Sequence, residues 1–356
     1  MKRIDLTLLL SVIFLTLFGL FMIYDASSFI AFRDFSDKYH YLKGQFFWVV
    51  IGFFAMGFFS YFDYKKLYNL SLPILLSAIG LLVLVFVPGI GVHLLGARRW
   101  INLGFSLLQP SEFVKLALAI YLASWLSSKE KGRLTAFLLL LGLIVSLVML
   151  QPDMGTTIVI ILEALIVFFL SGGNIAYFGA ILPIIAAVGF ILIKLSPYRL
   201  KRLETFFDLN QTAADSSYHV RQILIALGSG GIFGVGLGNS LQKYAYLPET
   251  TTDSIFAIIA EELGFIGAGL IIVIFMIIIW RGFVIATKAK DNFGKLLAGG
   301  IVSFLAVQII INLSAQTVLI PLTGIPLPFI SYGGSALIVD LSAIGIIINI
   351  SRKSLS

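Results

Sequence analysis

The chain predicts an all-α integral membrane protein. About ten transmembrane helices form a single polytopic domain over residues 1–356, with both termini in the cytoplasm. Three observations predict this. First, 59% of the residues are hydrophobic, 12% are charged and mean hydropathy is +1.02, values no ordinary water-soluble domain of this length reaches. Second, apolar runs recur from end to end with short polar breaks between them, which leaves no room for a separate soluble catalytic domain. Third, Lys and Arg concentrate in alternate breaks, the pattern of cytoplasmic loops. The absence of cysteine excludes disulfides, thiolate metal sites and a cysteine nucleophile.

Crossing the hydrocarbon core takes about 20 residues. Residues 6–24 make the first run. Lys2 and Arg3 ahead of it imitate a signal peptide, but the small-residue stretch "YDASSF" comes too late for cleavage, so the run reads as a retained helix. Residues 45–61 and 68–87 follow, with Lys65 and Lys66 between them. The fourth and fifth runs, 110–127 and 134–150, flank Lys129, Lys131 and Arg133. The sixth, 156–171, is short, yet the alternation of basic loops requires it. Residues 175–195 are the seventh, 253–280 a long eighth, 294–318 the ninth and 332–351 the tenth. Arg281, Lys288, Lys290 and Lys295 separate the eighth from the ninth, and Arg352 and Lys353 close the tenth. The outer face then receives 25–44, 88–109, 151–155, 196–252 and 319–331. The large outer loop between helices 7 and 8 is the richest in charge, and long loops are where substrates are met.

Several residues invite two readings. Thr250 and Asp253 in "ETTTDSIF" have the spacing of a capping box, so Asp253 is either a helix cap or a site carboxylate. At a helix N-terminus it is expected to stay ionised, with a low pKa. Glu112 and Lys115 share a helix face in "QPSEFVKLAL" and form either a site or a structural ion pair inside the membrane. Glu163 and Asp340 are lone acids in apolar runs and read as buried structural groups. Glu261, two turns beyond Asp253, is expected to line the same cavity, with Glu262 beside it. The glycines of "LGSGGIFGVGLGNS" fit no nucleotide fingerprint and read as a tight or re-entrant segment. "TGIPLPFISYGGS" reads as a proline-broken approach to the tenth helix, lining a cavity, or as a simple outer turn.

Five stretches, in order, carry a resemblance: "ARRWINLGFSLLQPSEFVKL", "QPDMGTT", "QILIALGSGGIFGVGLGNSLQKYAYLPE", "TDSIFAIIAEELGFIGA" and "TGIPLPFISYGGSALI". Over roughly residues 96–340 the chain resembles the SEDS family, the shape, elongation, division and sporulation proteins that polymerise peptidoglycan glycan strands. Thr323 in "LTGIPLP" stands where division-type members carry Lys, which makes the motif most like the elongation (RodA) type that maintains cell shape. One departure is plain: the family's His-Thr-Asp-Phe is Thr251, Thr252, Asp253 and Ser254 here, so the acid matches and the neighbouring imidazole does not.

The resemblance implies a glycosyltransferase at the outer face of the bacterial cytoplasmic membrane. Its substrate would be lipid II, and undecaprenyl diphosphate would leave. Asp253 is implied as the essential carboxylate, acting as base or as ligand of a divalent cation, magnesium or manganese; no organic cofactor is implied. Arg98, Arg99 and Trp100 become candidates for diphosphate contact, or else interfacial anchors. Arg199, Arg221 and Lys243 are further candidate cations, and Glu112, Lys115, Glu249, Thr252, Glu261 and Ser331 complete the expected substrate-binding set. The implied partner is a class B penicillin-binding protein, a transpeptidase; nucleic acid is not an expected partner. The reading from a different class is a transporter that flips the lipid-linked precursor, and within the family a division- or sporulation-type member is the alternative to the elongation type.

Overall fold

The computed structural model describes residues 4–354 except 95, 105, 129–133, 174–178, 180–182, 184–186, 188, 192–193, 195–196, 208–214 and 245–246. The side chains at 94, 197–199, 201, 205, 215 and 216 are not described either. The expected seventh helix and the Lys129–Arg133 loop therefore lie largely or wholly outside the described residues, as does the side chain of Arg199.

Among the described residues the chain folds into eleven helices and one small sheet. α1 (Leu6–Phe35) starts where Asp5 accepts the Leu8 N–H, and its 30 residues reach about 45 Å, well past the expected 6–24. α2 (His40–Tyr61) and α3 (Tyr64–Leu84) follow, the latter capped by Asp63. α4 (Pro110–Leu126), with proline in its first turn, α5 (Leu134–Leu150) and α6 (Met154–Leu170) have 17 residues each, the lower end of spanning length. α7 (Pro197–Phe207) and α8 (Asp215–Gly230) belong to the large outer loop. α9 (Ile255–Lys288), α10 (Asn292–Gln316) and α11 (Gly334–Ser354) complete the chain. Six of them, α1, α2, α3, α9, α10 and α11, are long and apolar enough to cross a membrane.

Burial sorts the helices into a centre and a lipid-facing shell. The apolar windows of α10 and α11 are 83% buried, against 28% for α9 and 22% for α2. α10 packs between α9, α6 and α4, while α2 lies along α11 and α1 against α9. Large side chains such as Phe54 and Phe265 face outward from the shell, as a hydrocarbon solvent permits.

Ion pairs show which helix ends lie together. Asp5 before α1 meets Arg281 in α9, with Nε at 3.0 Å from Oδ2. Asp63 before α3 meets Lys353 at the end of α11. The Tyr64 hydroxyl donates to Asp291 ahead of α10 at 2.5 Å. One end of the bundle thus gathers the starts of α1, α3 and α10 with the ends of α9 and α11. This is the alternation that the basic loops predicted.

The other end is not purely helical. Residues 88–109 contain an antiparallel sheet in the order β1 (Gly91–Leu94), β2 (Ala97–Asn102), β3 (Leu107–Leu108). Strands of two to six residues are too short to carry a periodic hydropathy signal, so the all-α reading missed them. The glycine-rich segment is re-entrant in its bonding. α9 breaks at Gly264 (φ 68, ψ −170), and Val235 and Gly236 donate to the carbonyls of Glu261 and Glu262 at 3.0 Å each. In return Phe265 and Ile266 donate to Gly231 and Ile232 at 2.9 and 3.2 Å. Glycine is required here: a Cβ on Gly234, whose φ is +82, would stand 2.1 Å from the Glu262 carbonyl oxygen.

Candidate active site

Asp253 sits in a turn before α9 and faces a cleft of about 400 Å³. Arg202 of α7, His219 of α8 and Glu249 line the same cleft, as do Asn312 and Gln316 of α10 and the stretch Leu322–Ile325. Three separate tethers fix the turn. Ser331 donates its hydroxyl to the Thr252 carbonyl at 2.6 Å, Tyr332 donates its N–H to Thr251 at 2.8 Å, and the Thr252 hydroxyl donates to Glu249 at 2.8 Å. Ser331 Oγ also accepts the Leu327 N–H at 2.8 Å, and Gln45 of α2 accepts from Gly333 at 3.2 Å. The proline-broken segment 322–333 therefore builds one wall of the site, as its sequence led one to expect. Arg202 donates to the Leu322 carbonyl at 3.0 Å across the mouth.

The capping box does not form. The helix starts four residues later than that motif needs: Ser254, not Thr250, is the N-cap, and the Thr250 hydroxyl points instead to the Ala26 carbonyl at 3.5 Å. Free of the helix N–H groups, Asp253 does not have the low pKa expected of a cap. Burial of its carboxyl and the Glu249 charge push it up to about 7, against the pull of Arg202 and Arg99. Its side chain touches the cleft but lies deep among protein atoms, so desolvation leads.

An imidazole does stand nearby, supplied by a different element. His219 Nε2 lies 2.7 Å from the Ser254 hydroxyl, which makes no capping bond of its own. Burial, helped by the Arg202 charge, pushes His219 down to about 4, so it is neutral at pH 7. His219 was not among the expected site residues, because it lies 34 positions before Asp253 on a separate helix.

Other expected residues divide. Glu249 and Thr252 belong to the site. Arg98 is exposed on β2, Trp100 is half-buried beside it, and Arg99 donates to the carbonyls of Gln151 (3.0 Å) and Pro152. Arg99 therefore joins the "ARRW" and "QPDMG" motifs, and its charge reaches Asp253 while its fork is engaged. Asp153 caps α6, accepting from the Thr156 N–H at 3.2 Å, and takes the Gln109 amide at 3.2 Å. Arg221 is half-buried on α8 and does not line the cleft.

Three expectations are corrected. Lys243 does not face the cleft: buried, it binds Asp25 of α1 and Glu262 of α9, each at 2.9 Å. Glu261 does not line the Asp253 cavity either, since it takes the Ser240 hydroxyl and the Leu241 N–H (3.3 Å) in the glycine-rich segment. Both glutamates bond residues 240–243, where Glu262 accepts the Ser240 N–H at 3.2 Å and Lys243 at 2.9 Å, and neither lines the cleft. Glu112 and Lys115 form a buried pair at 2.7 Å, and Lys115 also donates to Gln308 of α10 at 2.5 Å. Glu163 and Asp340 are the pair's other charged neighbours, all of them deep between α4, α6, α10 and α11 and outside the cleft lining.

For a divalent cation, no three His, Asp or Glu side chains converge among the described residues. Asp253 and Glu249 share one cleft, which suits a cation that arrives with phosphate ligands, since magnesium takes one or two carboxylates plus phosphate oxygens and water. The residues fit a substrate-borne ion and not an all-protein cage.

The fold and cleft define a multi-pass membrane protein with a carboxylate site at one end of its helical bundle. The chain belongs to the FtsW/RodA/SpoVE family, described as cell cycle proteins, which matches residues 6–355. Its place is accordingly the cytoplasmic membrane. It is 42% identical to stage V sporulation protein E of Bacillus subtilis over 98% of this chain and 97% of that one. A probable peptidoglycan glycosyltransferase FtsW of Geobacter sp. (strain M18) is 38% identical over 99% of both. Among solved structures, a chain of a peptidoglycan synthase complex that coordinates polymerization and crosslinking superposes with TM-score 0.82 at 25% identity, covering 99% of this chain and 98% of that one. The rod-shape-determining protein RodA of Thermus thermophilus gives TM-score 0.73 at 25% identity, covering 99% and 97%.

Proposed function

We propose that this protein is a peptidoglycan glycosyltransferase that polymerises lipid II at the outer face of the membrane, with Asp253 as its general base. The observation that carries the reading is Asp253 itself: a tethered, desolvated carboxyl with its pKa near 7, in a cleft with Arg202 and a neutral His219. A base poised near the working pH combines a usable ionised fraction with real proton affinity.

In the step proposed, a sugar hydroxyl attacks the anomeric carbon of a lipid-linked sugar. The new C–O bond forms as the bond to the diphosphate oxygen breaks. Asp253 takes the hydroxyl proton, and the bonding pair leaves with the polyprenyl diphosphate. Arg202 in the cleft and Arg98 on the sheet supply positive charge for that leaving group. Glu249 would hold a divalent cation together with the diphosphate oxygens, and that ion when bound would neutralise charge on the diphosphate while Asp253 stays free to take the proton. Substrate and product keep their tails in lipid, which accounts for an enzyme made almost wholly of membrane helices.

A class B penicillin-binding protein is the partner we assign, supported by the likeness to a chain of a complex that polymerises and crosslinks. Thr323 favours an elongation role, whereas the relatives named FtsW and SpoVE favour division or sporulation. Complementation of strains lacking each type separates these roles.

The test is a polymerisation assay with purified protein, a transpeptidase partner, lipid-linked disaccharide and magnesium, read on a glycan gel. Wild type makes polymer, and Asp253→Asn at equal thermal stability loses about 100-fold or more. Full activity in Asp253→Asn removes the aspartate from the chemistry. Movement of lipid across liposomes without polymer selects the transporter.

A further inference from the structure

Two amide side chains of α10 face the cleft with one end each left over. Gln316 accepts the Ala257 N–H through Oε1 at 3.2 Å, and Asn312 donates through Nδ2 to the Ile325 carbonyl at 2.7 Å. Those backbone partners fix which end of each amide is nitrogen and which is oxygen. The remaining ends, Gln316 Nε2 and Asn312 Oδ1, find no hydrogen-bond partner among the described residues. Both residues line the cleft beside Asp253, and they are only 1% and 2% exposed. A buried amide end without a partner forfeits its hydration without compensation, and such groups call for an explanation.

The two ends are chemically opposite: one donates and the other accepts. Four residues apart on a helix, they share a face with about 6 Å between their Cβ atoms. A secondary amide presents the complementary pair. It is planar and trans, so its C=O and N–H point in opposite directions and take partners several ångströms apart. A sugar hydroxyl, by contrast, is one atom and cannot span both.

We infer that Asn312 and Gln316 form a subsite for the acetamido group of an N-acetylated sugar, Gln316 Nε2 donating to its carbonyl and Asn312 Oδ1 accepting its N–H. The inference rests on the glycosyltransferase reading above and adds a specificity determinant to it. A hydrogen-bonding site of this kind rejects the analogue that lacks the group, because its own buried ends then stay unpaired.

The experiment compares two lipid-linked disaccharides, one with its acetamido groups and one with hydroxyls in their place, on wild type and on Gln316→Glu. This variant keeps the Oε1 acceptor for Ala257 and converts the free donor into an acceptor. Wild type is expected to prefer the acetamido substrate by at least 10-fold in kcat/KM. Gln316→Glu is expected to lose most of that preference by losing rate on the acetamido substrate alone. The wild-type arm needs no variant, so a misfolded Gln316→Glu leaves it decisive. Polymer from wild type without discrimination overturns the subsite and leaves the glycosyltransferase reading standing. An equal loss on both substrates in Gln316→Glu assigns the residue to structure and also overturns it. No polymer from wild type with either substrate sinks the glycosyltransferase reading, and the subsite with it.

Discussion

Ser331 holds Thr252: its hydroxyl donates to the Thr252 carbonyl at 2.6 Å and accepts from Leu327 at 2.8 Å, joining the segment before α11 to the turn that carries Asp253. Ser331→Ala leaves a carbonyl and an N–H unpaired, at about 1–3 kcal/mol. The turn then loses its fixed position, and turnover is expected to fall roughly 10-fold to 100-fold with a smaller change in KM. Steady-state kinetics beside a thermal melt checks this, and unchanged kcat removes Ser331 from the positioning role.

The pH profile should report Asp253. A base must be ionised, so activity rises with pH through about 7. Arg202 pulls that value down and Glu249 pushes it up, so Arg202→Gln should move the midpoint upward and Glu249→Gln downward. The stability linkage has the opposite sense. A carboxyl whose folded pKa is raised above its unfolded value of about 3.9 holds its proton more tightly when folded, so the stability it contributes is fully present below about 3.9 and is lost as pH rises through about 7. Asp253→Asn should therefore be at least as stable as wild type at pH 8. A profile that does not shift in either charge variant assigns the midpoint to another group.

Among the described residues Lys115 is the one cation beside Glu112, Glu163 and Asp340 in the buried cluster between α4, α6, α10 and α11. Lys115→Met strands those carboxylates and should destabilise by about 3–5 kcal/mol, since breaking one side of a buried pair leaves uncompensated charge. Lys115→Met combined with Glu112→Gln should recover part of the loss. Unfolding in detergent measures both, and equal melts for wild type and Lys115→Met would contradict the ion-pair role.

Gly234→Ala tests the broken helix. The added methyl meets the Glu262 carbonyl at a distance no Cβ tolerates, on backbone that alanine resists. Yield of folded protein should drop sharply. Gly228→Ala, with open space at its Cβ, should be silent. Equal yields would mean that the segment shifts freely.

Hydropathy and charge made the helices legible, because length and basic loops are long-range averages that survive errors at individual residues. α1 and α9 ran longer than expected, since Asp25 and Arg281 look like membrane exits but are neutralised by Lys243 and Asp5. Asp253, Glu249 and Thr252 were found through motif and local spacing. Arg202, His219, Asn312 and Gln316 were not, since distant elements bring them to the cleft. Asn312 and Gln316 did leave a signal, two amides one turn apart in an apolar run. Lys243 and Glu261 misled because a charge near a site in sequence was read as near it in space, while Lys243 is held by Asp25 and Glu262, and Glu261 by Ser240 and Leu241.

The backbone exchange around Gly264 also sets an order of assembly. Residues 231–236 leave the ribosome before residues 261–266 do, so the groups that receive the broken turn are already made when it emerges. A helix interrupted at that depth would otherwise enter lipid with bare N–H and C=O groups. Moving the glycine-rich segment to a later point in the chain would keep every contact of the finished fold. It would nonetheless leave the nascent turn without its partner at the moment of insertion, so the linear order of the gene is itself part of what makes this membrane protein buildable.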